Sequence, residues 1–256
     1  MLLFAYAFIT LAACSGGGGA SVDVLSGHDG RGDRGGDEGS VVDHAIADQR
    51  VDVFSPLPGF GALTGECGVL DDDEWGAPTP FFFSNALDFG SAGFDKNLLS
   101  PGGQQILSEG NLGGNSLHSE IFSYEVLHRC ELATLLKTEA KIDYTDVGGK
   151  KTDLLVSIDG RKIGVSVTRA VHFPKGQPYT EAEAQTLLHK KLSDIPLSEA
   201  NAVAADAWGR SILHVIAWDA QHAQVVKDVF AALDVQVKAK TILVVTVTNG
   251  TDDYIY

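Results

Sequence analysis

Positive charge is scarce in this chain, and scarcest in its first half. Residues 1–115 contain 16 Asp/Glu against 4 Lys/Arg, while residues 116–256 contain 18 against 15. The net charge of −15 therefore falls mainly on the first half. No run of Lys/Arg with interleaved aromatics occurs, and an acidic surface repels both DNA and anionic lipid. Broad, non-specific binding to either is excluded, so any nucleic-acid contact has to be local to the second half. Catalytic signatures are missing as well. There is no Gly-x-Ser-x-Gly elbow and no phosphate-cradling glycine loop. "GNLGGN" has neither a preceding strand nor a following βαβ unit. His118, His128, His172, His189, His214 and His222 are scattered, without the i, i+4 pairing beside an acid that zinc helices use.

Long apolar runs are also rare. The one at the start, "MLLFAYAFITLAACSGGGG", is too short for a bilayer-spanning helix of about 20 residues. Its ending, Leu11-Ala12-Ala13-Cys14, resembles the lipobox of bacterial lipoprotein signal peptides, although no Lys or Arg precedes the run. The resemblance implies a signal peptide over 1–14, lipidation of Cys14 and attachment to a membrane through it. A plain cleaved secretory signal is the alternative. Ser15 after the cysteine implies sorting to the outer membrane. With Cys14 lipidated, only Cys67 and Cys130 remain. They can pair in an oxidising compartment, but Cys130 falls on the apolar side of an expected helix, where a buried free thiol is the plainer state.

Residues 15–58 read as a flexible acidic tether. "SGGGGAS" is a linker composition and "GHDGRGDRGGDEG" is low-complexity sequence. Its Arg31-Gly32-Asp33 follows from local composition, and the spaced ligands of a calcium loop are absent. Residues 59–115 combine the acidic "DDDE" with Trp75, Phe81, Phe82, Phe83, Phe89 and Phe94, too many aromatics for a free linker. They read as an irregular extension packed on the following domain, with Pro78 and Pro80 barring a helix.

From residue 116 the pattern becomes periodic. "SLHSEIFSYEVLHRCELATLLKTEA" has three- and four-residue apolar steps through Leu135–Leu136, which predict a helix. "KIDYTDV", "TDLLVSI" and "KIGVSVTRA" predict three strands, the last two joined by a turn at Asp159-Gly160. Thr180 and Glu183 have capping-box spacing, so a helix starts there. A short helix over 198–208, the strand "SILHVIAW", the helix "AQHAQVVKDVFAALD" and the strand "KTILVVTVT" follow. The expected fold is α/β, a mixed sheet flanked by helices.

This order, with Asp153 on the second strand, resembles the PD-(D/E)XK nuclease-like superfamily over about residues 116–248. The resemblance implies a restriction-endonuclease-like core in which Glu120 is the helix acid and Asp153 the strand acid. Together they would hold magnesium or manganese over the face shared by Gly164, Ser166 and Thr168. Ser166 and Thr168, however, stand where the family carries a glutamate and the lysine that orients the attacking water. A neutral hydroxyl is a poor ligand for a hard cation. Some members of the superfamily take the lost groups from the following helix, so Glu183, Lys190 or Lys191 are candidates to replace them, with Arg169 to contact phosphate. The expectation is a cell-envelope lipoprotein whose nuclease-like domain lacks the standard catalytic set and binds another envelope protein or a ligand, a pseudoenzyme. The alternative is an active metal-dependent nuclease with relocated catalytic residues, the only case in which nucleic acid is a partner.

Overall fold

The hairpin at Asp159-Gly160 organises one side of the molecule. Both residues take positive φ (50° and 74°), the twist that a two-residue turn between antiparallel strands requires. The turn joins β4 (Leu154–Ile158) to β5 (Arg161–Ala170), with Ile158 opposite Arg161. The computed structural model describes residues 55–255, so the signal-peptide, Cys14 and most of the tether readings lie outside the described residues.

Five further strands complete the sheet. They are β1 (Ala62–Gly65), β2 (Phe81–Asp88), β3 (Thr134–Thr138), β6 (Arg210–Ala217) and β7 (Ile242–Val247), and the spatial order is β1-β2-β7-β6-β5-β4-β3. The four central strands β2, β7, β6 and β5 are parallel, and antiparallel pairs close both edges. The helices are α1 (Asp72–Gly76), α2 (Pro101–Glu109), α3 (Leu117–Glu131), α4 (Glu181–Asn201), α5 (Ala220–Ala232) and α6 (Val235–Lys238).

Alternation along the strands divides the core into two layers. Ile163, Val165 and Val167 of β5, Ile212 and Ile216 of β6, and Ile242 and Val244 of β7 pack against Ile121, Phe122 and Leu127 of α3. Ala170, Leu213, Val215, Leu243 and Val245 face the other way, against Ala184, Leu188 and Leu192 of α4 and Val226 and Phe230 of α5. Every residue of β6 is buried, so both faces of this central strand are covered and Ile212, Leu213, Val215 and Ile216 follow no apolar–polar alternation. Gly164 lacks a side chain for a specific reason: a Cβ there would lie 2.4 Å from Cε2 of Trp208.

The expected strands at β4, β5, β6 and β7 and the helices α4 and α5 are present, with the short α6 added before β7, and Thr180 forms the expected capping box with Glu183. Several expectations need correction. The first helix stops at Glu131, where Leu132 turns left-handed (φ 52°), and Leu135 and Leu136 belong to β3. Lys141–Val147 is not a strand. It continues from a 3-10 turn (Glu139–Lys141) and pairs with the end of α4 only as an isolated bridge, Tyr144–Ala202, flanked by the bonds Thr145 N–H to Asn201 O (2.8 Å) and Val203 N–H to Asp143 O (3.0 Å). No separate helix covers 198–208, because α4 runs through Pro196 to Asn201 and turns follow.

The aromatic segment is not an irregular extension. Phe81 to Ala86 of β2 pair in parallel with Ile242 to Val247 of β7, so the segment supplies the sheet itself. Cys130 is not a free thiol either. It is bonded to Cys67 across a sequence separation of 63. The carboxylate of Glu131 next to it accepts the backbone N–H groups of Gly68 (2.9 Å), Val69 (3.4 Å) and Leu70 (3.1 Å), so the loop after β1 is anchored twice to the end of α3.

Candidate functional site

Asp153 sits immediately before β4, and its N–H continues the ladder to Val165 O (3.0 Å). Its Oδ2 accepts the Val167 N–H at 2.6 Å and the Ser166 hydroxyl at 3.3 Å. The hairpin therefore brings Asp153 onto β5 beside the two residues that follow Val165. From the α4 layer, on the Ser166 side of the sheet, comes Lys191. The buried stripe Ala184, Leu188, Leu192 and Ile195 seats α4 on that layer and leaves Lys191 over β5. Its Nζ donates to Val167 O (2.7 Å) and Ser166 Oγ (3.4 Å) and lies 3.9 Å from Asp153 Oδ2. Both side chains are about four-fifths buried (22% and 20% exposed), so the contact is screened less than a surface pair.

Glu120 occupies the first turn of α3, the helix covering the Ile163–Val165–Val167 face, and not the Gly164–Ser166–Thr168 face on which the resemblance places it. It is 1% exposed. Its Oε1 accepts Ser116 Oγ–H (2.8 Å) and Asn111 Nδ2–H (3.2 Å). Burial pushes its pKa up, the Ser116 bond opposes this, and the nearby Asp153 charge adds to the rise. Glu139, in the 3-10 turn after β3, is also shifted up, first by burial and then by Asp153. The Leu112 N–H reaches its Oε2 at 3.3 Å, so the adjacent residues Asn111 and Leu112 bridge the two glutamates. Nothing in the sequence singles out Glu139, whose place depends on where β3 ends.

The remaining candidates lie elsewhere. Lys190 is exposed and pairs with Asp194 at 3.1 Å. Glu183 serves the Thr180 cap and meets His172 Nδ1 at 2.7 Å. Arg169 donates from Nη1 to Ile255 O at 2.6 Å, tying β5 to the final 3-10 turn (Asp253–Ile255). Thr168 is half-buried on the same face as Ser166.

The magnesium or manganese that the resemblance implies does not suit this donor set. Asp153 Oδ2 already accepts two hydrogen bonds and faces an ammonium. Glu120 is biased by burial towards its neutral form. Among the described residues no group of three or more His, Cys, Asp or Glu is disposed to hold a metal ion.

His214 belongs to a separate, buried chain. Its Nδ1 lies 2.8 Å from Ser123 Oγ and its Nε2 lies 2.7 Å from Thr246 Oγ1. The Thr246 hydroxyl donates to Asn85 Oδ1 at 2.6 Å, so it accepts from His214. That assigns the proton to Nε2 and makes Nδ1 the acceptor for Ser123. Asn85, Thr246 and His214 thus form a polar rung across β2, β7 and β6 beneath α3. With no exposure at all, the imidazole is depressed to about 3 by burial. Between pH 3 and the usual 6.5 the unfolded chain binds the extra proton. Stability contributed by neutral His214 is therefore present above pH 6.5 and lost as pH falls, by up to about 1.4 kcal/mol per pH unit. Urea midpoints measured from pH 7 to 4 should show a flatter acid limb in His214→Gln than in the parent.

No protein-family model matches the chain, and no solved structure matches it. A search of curated proteins finds similarity to the "AAC-rich mRNA clone AAC4 protein" of Dictyostelium discoideum. The identity is 44% over 124 residues, covering 46% of this chain and 18% of that protein. The chain thus spans less than a fifth of the length of the relative it matches.

Proposed function

We propose that this is a cell-envelope lipoprotein whose α/β domain, with a nuclease-like core lacking the standard catalytic set, acts by binding another envelope protein or a ligand. One observation carries the binding reading: the acid that catalysis would need, Asp153, is engaged internally. Its Oδ2 holds the β5 backbone at Val167 N and the Ser166 hydroxyl, with Lys191 alongside. A carboxylate tied into a sheet in this way positions structure. Export to an oxidising compartment accords with the Cys67–Cys130 bond. Attachment through lipidated Cys14, at the outer membrane, rests on the sequence at that cysteine. Among the described residues no helix is long and apolar enough to cross a membrane.

A second reading, an active nuclease dependent on magnesium or manganese, is favoured by Lys191. A lysine from the following helix stands at Ser166, beside the strand position where the family's own lysine is missing. The two readings separate in a single assay. Plasmid DNA and RNA are incubated with the full chain in magnesium or manganese, alongside Asp153→Ala and Lys191→Met. The binding reading expects no cleavage above background in any sample. Metal-dependent cutting that disappears in both variants would overturn it.

A further inference from the structure

A cavity of about 510 Å³ opens where β5 and β6 begin, away from the Asp153–Lys191 contact further along β5. Its walls include the indoles of Trp75 and Trp208 and the cations Arg161, Lys162 and Arg210. The volume is within the range of small-molecule sites. In a chain of net charge −15, three cations around one cavity stand against the overall balance.

Arg210 is the informative member. It is 4% exposed, donates to Ala77 O and, at 2.7 Å, to Thr79 O, and lies over the Phe81 ring at 5.4 Å. No carboxylate among the described residues forms an ion pair with it, and its Nε has no acceptor. Burial lowers its pKa from the usual arginine value, with only the Glu74 charge opposing. A buried guanidinium without a counter-ion is costly. Trp75, another residue lining the cavity, also has a buried donor, Nε1, that lacks an acceptor. The Trp208 indole, by contrast, is satisfied by Ser211 Oγ at 2.9 Å. Arg161 pairs with Asp72 at 2.7 Å on the exposed rim, a contact worth little in water.

We infer that this cavity binds a small ligand with a planar aromatic ring and a carboxylate or phosphate group. The ring would stack against the indoles, and the anion would meet Arg210 and the Trp75 N–H, with Lys162 and Arg161 at the mouth. Guanidinium and indole are the groups that combine planar stacking with donation to an anion. This site is independent of the binding role proposed above, and either can fail without the other.

Calorimetric titration of the full chain tests it with two probe pairs: indole-3-acetate against indole-3-acetamide, and AMP against adenosine. Inorganic phosphate serves as the non-aromatic control. At least one anionic aromatic is expected to bind about tenfold or more tightly than its neutral counterpart, the scale of a charge-assisted hydrogen bond, and more tightly than phosphate. Arg161→Ala/Lys162→Ala and Trp75→Phe are each expected to weaken that binding several-fold while the unfolding midpoint stays near that of the parent. Arg210→Lys, which keeps the charge but loses the planar fork, should weaken it further. The assignment is overturned if no anionic probe binds at millimolar concentration. Equal binding of neutral and anionic partners, or affinity untouched by the variants, would overturn it as well.

Discussion

Truncating Glu125 to alanine is expected to destabilise the fold by about 3–5 kcal/mol, the usual cost of leaving one member of a buried ion pair alone. Glu125 is fully buried, and its Oε2 lies 2.9 Å from Arg129 Nη2 one helical turn on, where Arg129 is 5% exposed in its side chain. The other carboxylate oxygen accepts both the backbone N–H (2.7 Å) and the hydroxyl (2.8 Å) of Ser100, the residue that caps α2. Arg129 in turn donates to Pro58 O and Leu98 O. The pair thus fastens α3 to the start of α2 through Glu125 and to the chain entering the sheet through Arg129. Alanine would leave a buried guanidinium without its counter-charge and a buried N–H without its acceptor. Urea unfolding measures the loss. Glu125→Ala/Arg129→Met should recover a large part of it, because no uncompensated charge remains. A loss below about 1 kcal/mol in the single variant would show that the pair is not what holds these helices together.

Opening the Cys67–Cys130 bond is expected to remove up to about 4 kcal/mol, on the chain-entropy relation for a loop of this length. The bond closes 63 residues, and that loop includes β2, α1 and α2. The Glu131 carboxylate would still hold the backbone N–H groups of residues 68–70, so Cys67→Ser/Cys130→Ser should fold with a lower midpoint instead of failing to fold. The comparison is a urea or thermal unfolding curve for the parent with and without reductant, beside the double variant. Equal midpoints throughout, or two alkylatable thiols in the native unreduced protein, would count against the bond.

What was legible in the sequence shares one physical property: it depends on residues close together in the chain. The Asp159-Gly160 turn, the Thr180–Glu183 cap and the succession β4, β5, α4, β6, α5 rest on backbone conformations or periodicities confined to short windows. The misreadings share the opposite property. Leu135 and Leu136 continue the apolar steps of α3, and only the pairing of Thr134–Thr138 with β4 makes them strand. "KIDYTDV" alternates well, yet most of its residues are exposed or half-buried and it has no strand beside it. Phe81–Asp88 becomes a strand because β7, more than 150 residues later, offers its free edge. Cys130 became half of a disulfide because that same rearrangement delivers Cys67 to the end of α3.

The candidate site divides in the same way. That Asp153 would lie beside Ser166 follows from the hairpin register alone, because the turn leaves Leu154 opposite Val165. Which of two adjacent lysines would come to it did not follow. Lys190 and Lys191 are one residue apart, about 100° around a helix, and only the packing of Leu188 and Leu192 on the sheet turns one inward and the other to solvent. Local turns, caps and most elements from β4 onward are written in short stretches of the chain. The tertiary structure decided which strands became neighbours, which cysteine found a partner and which charges were buried. Those outcomes depend on surfaces far apart in the chain closing against one another, and the free energy of that closure is not encoded in any single window.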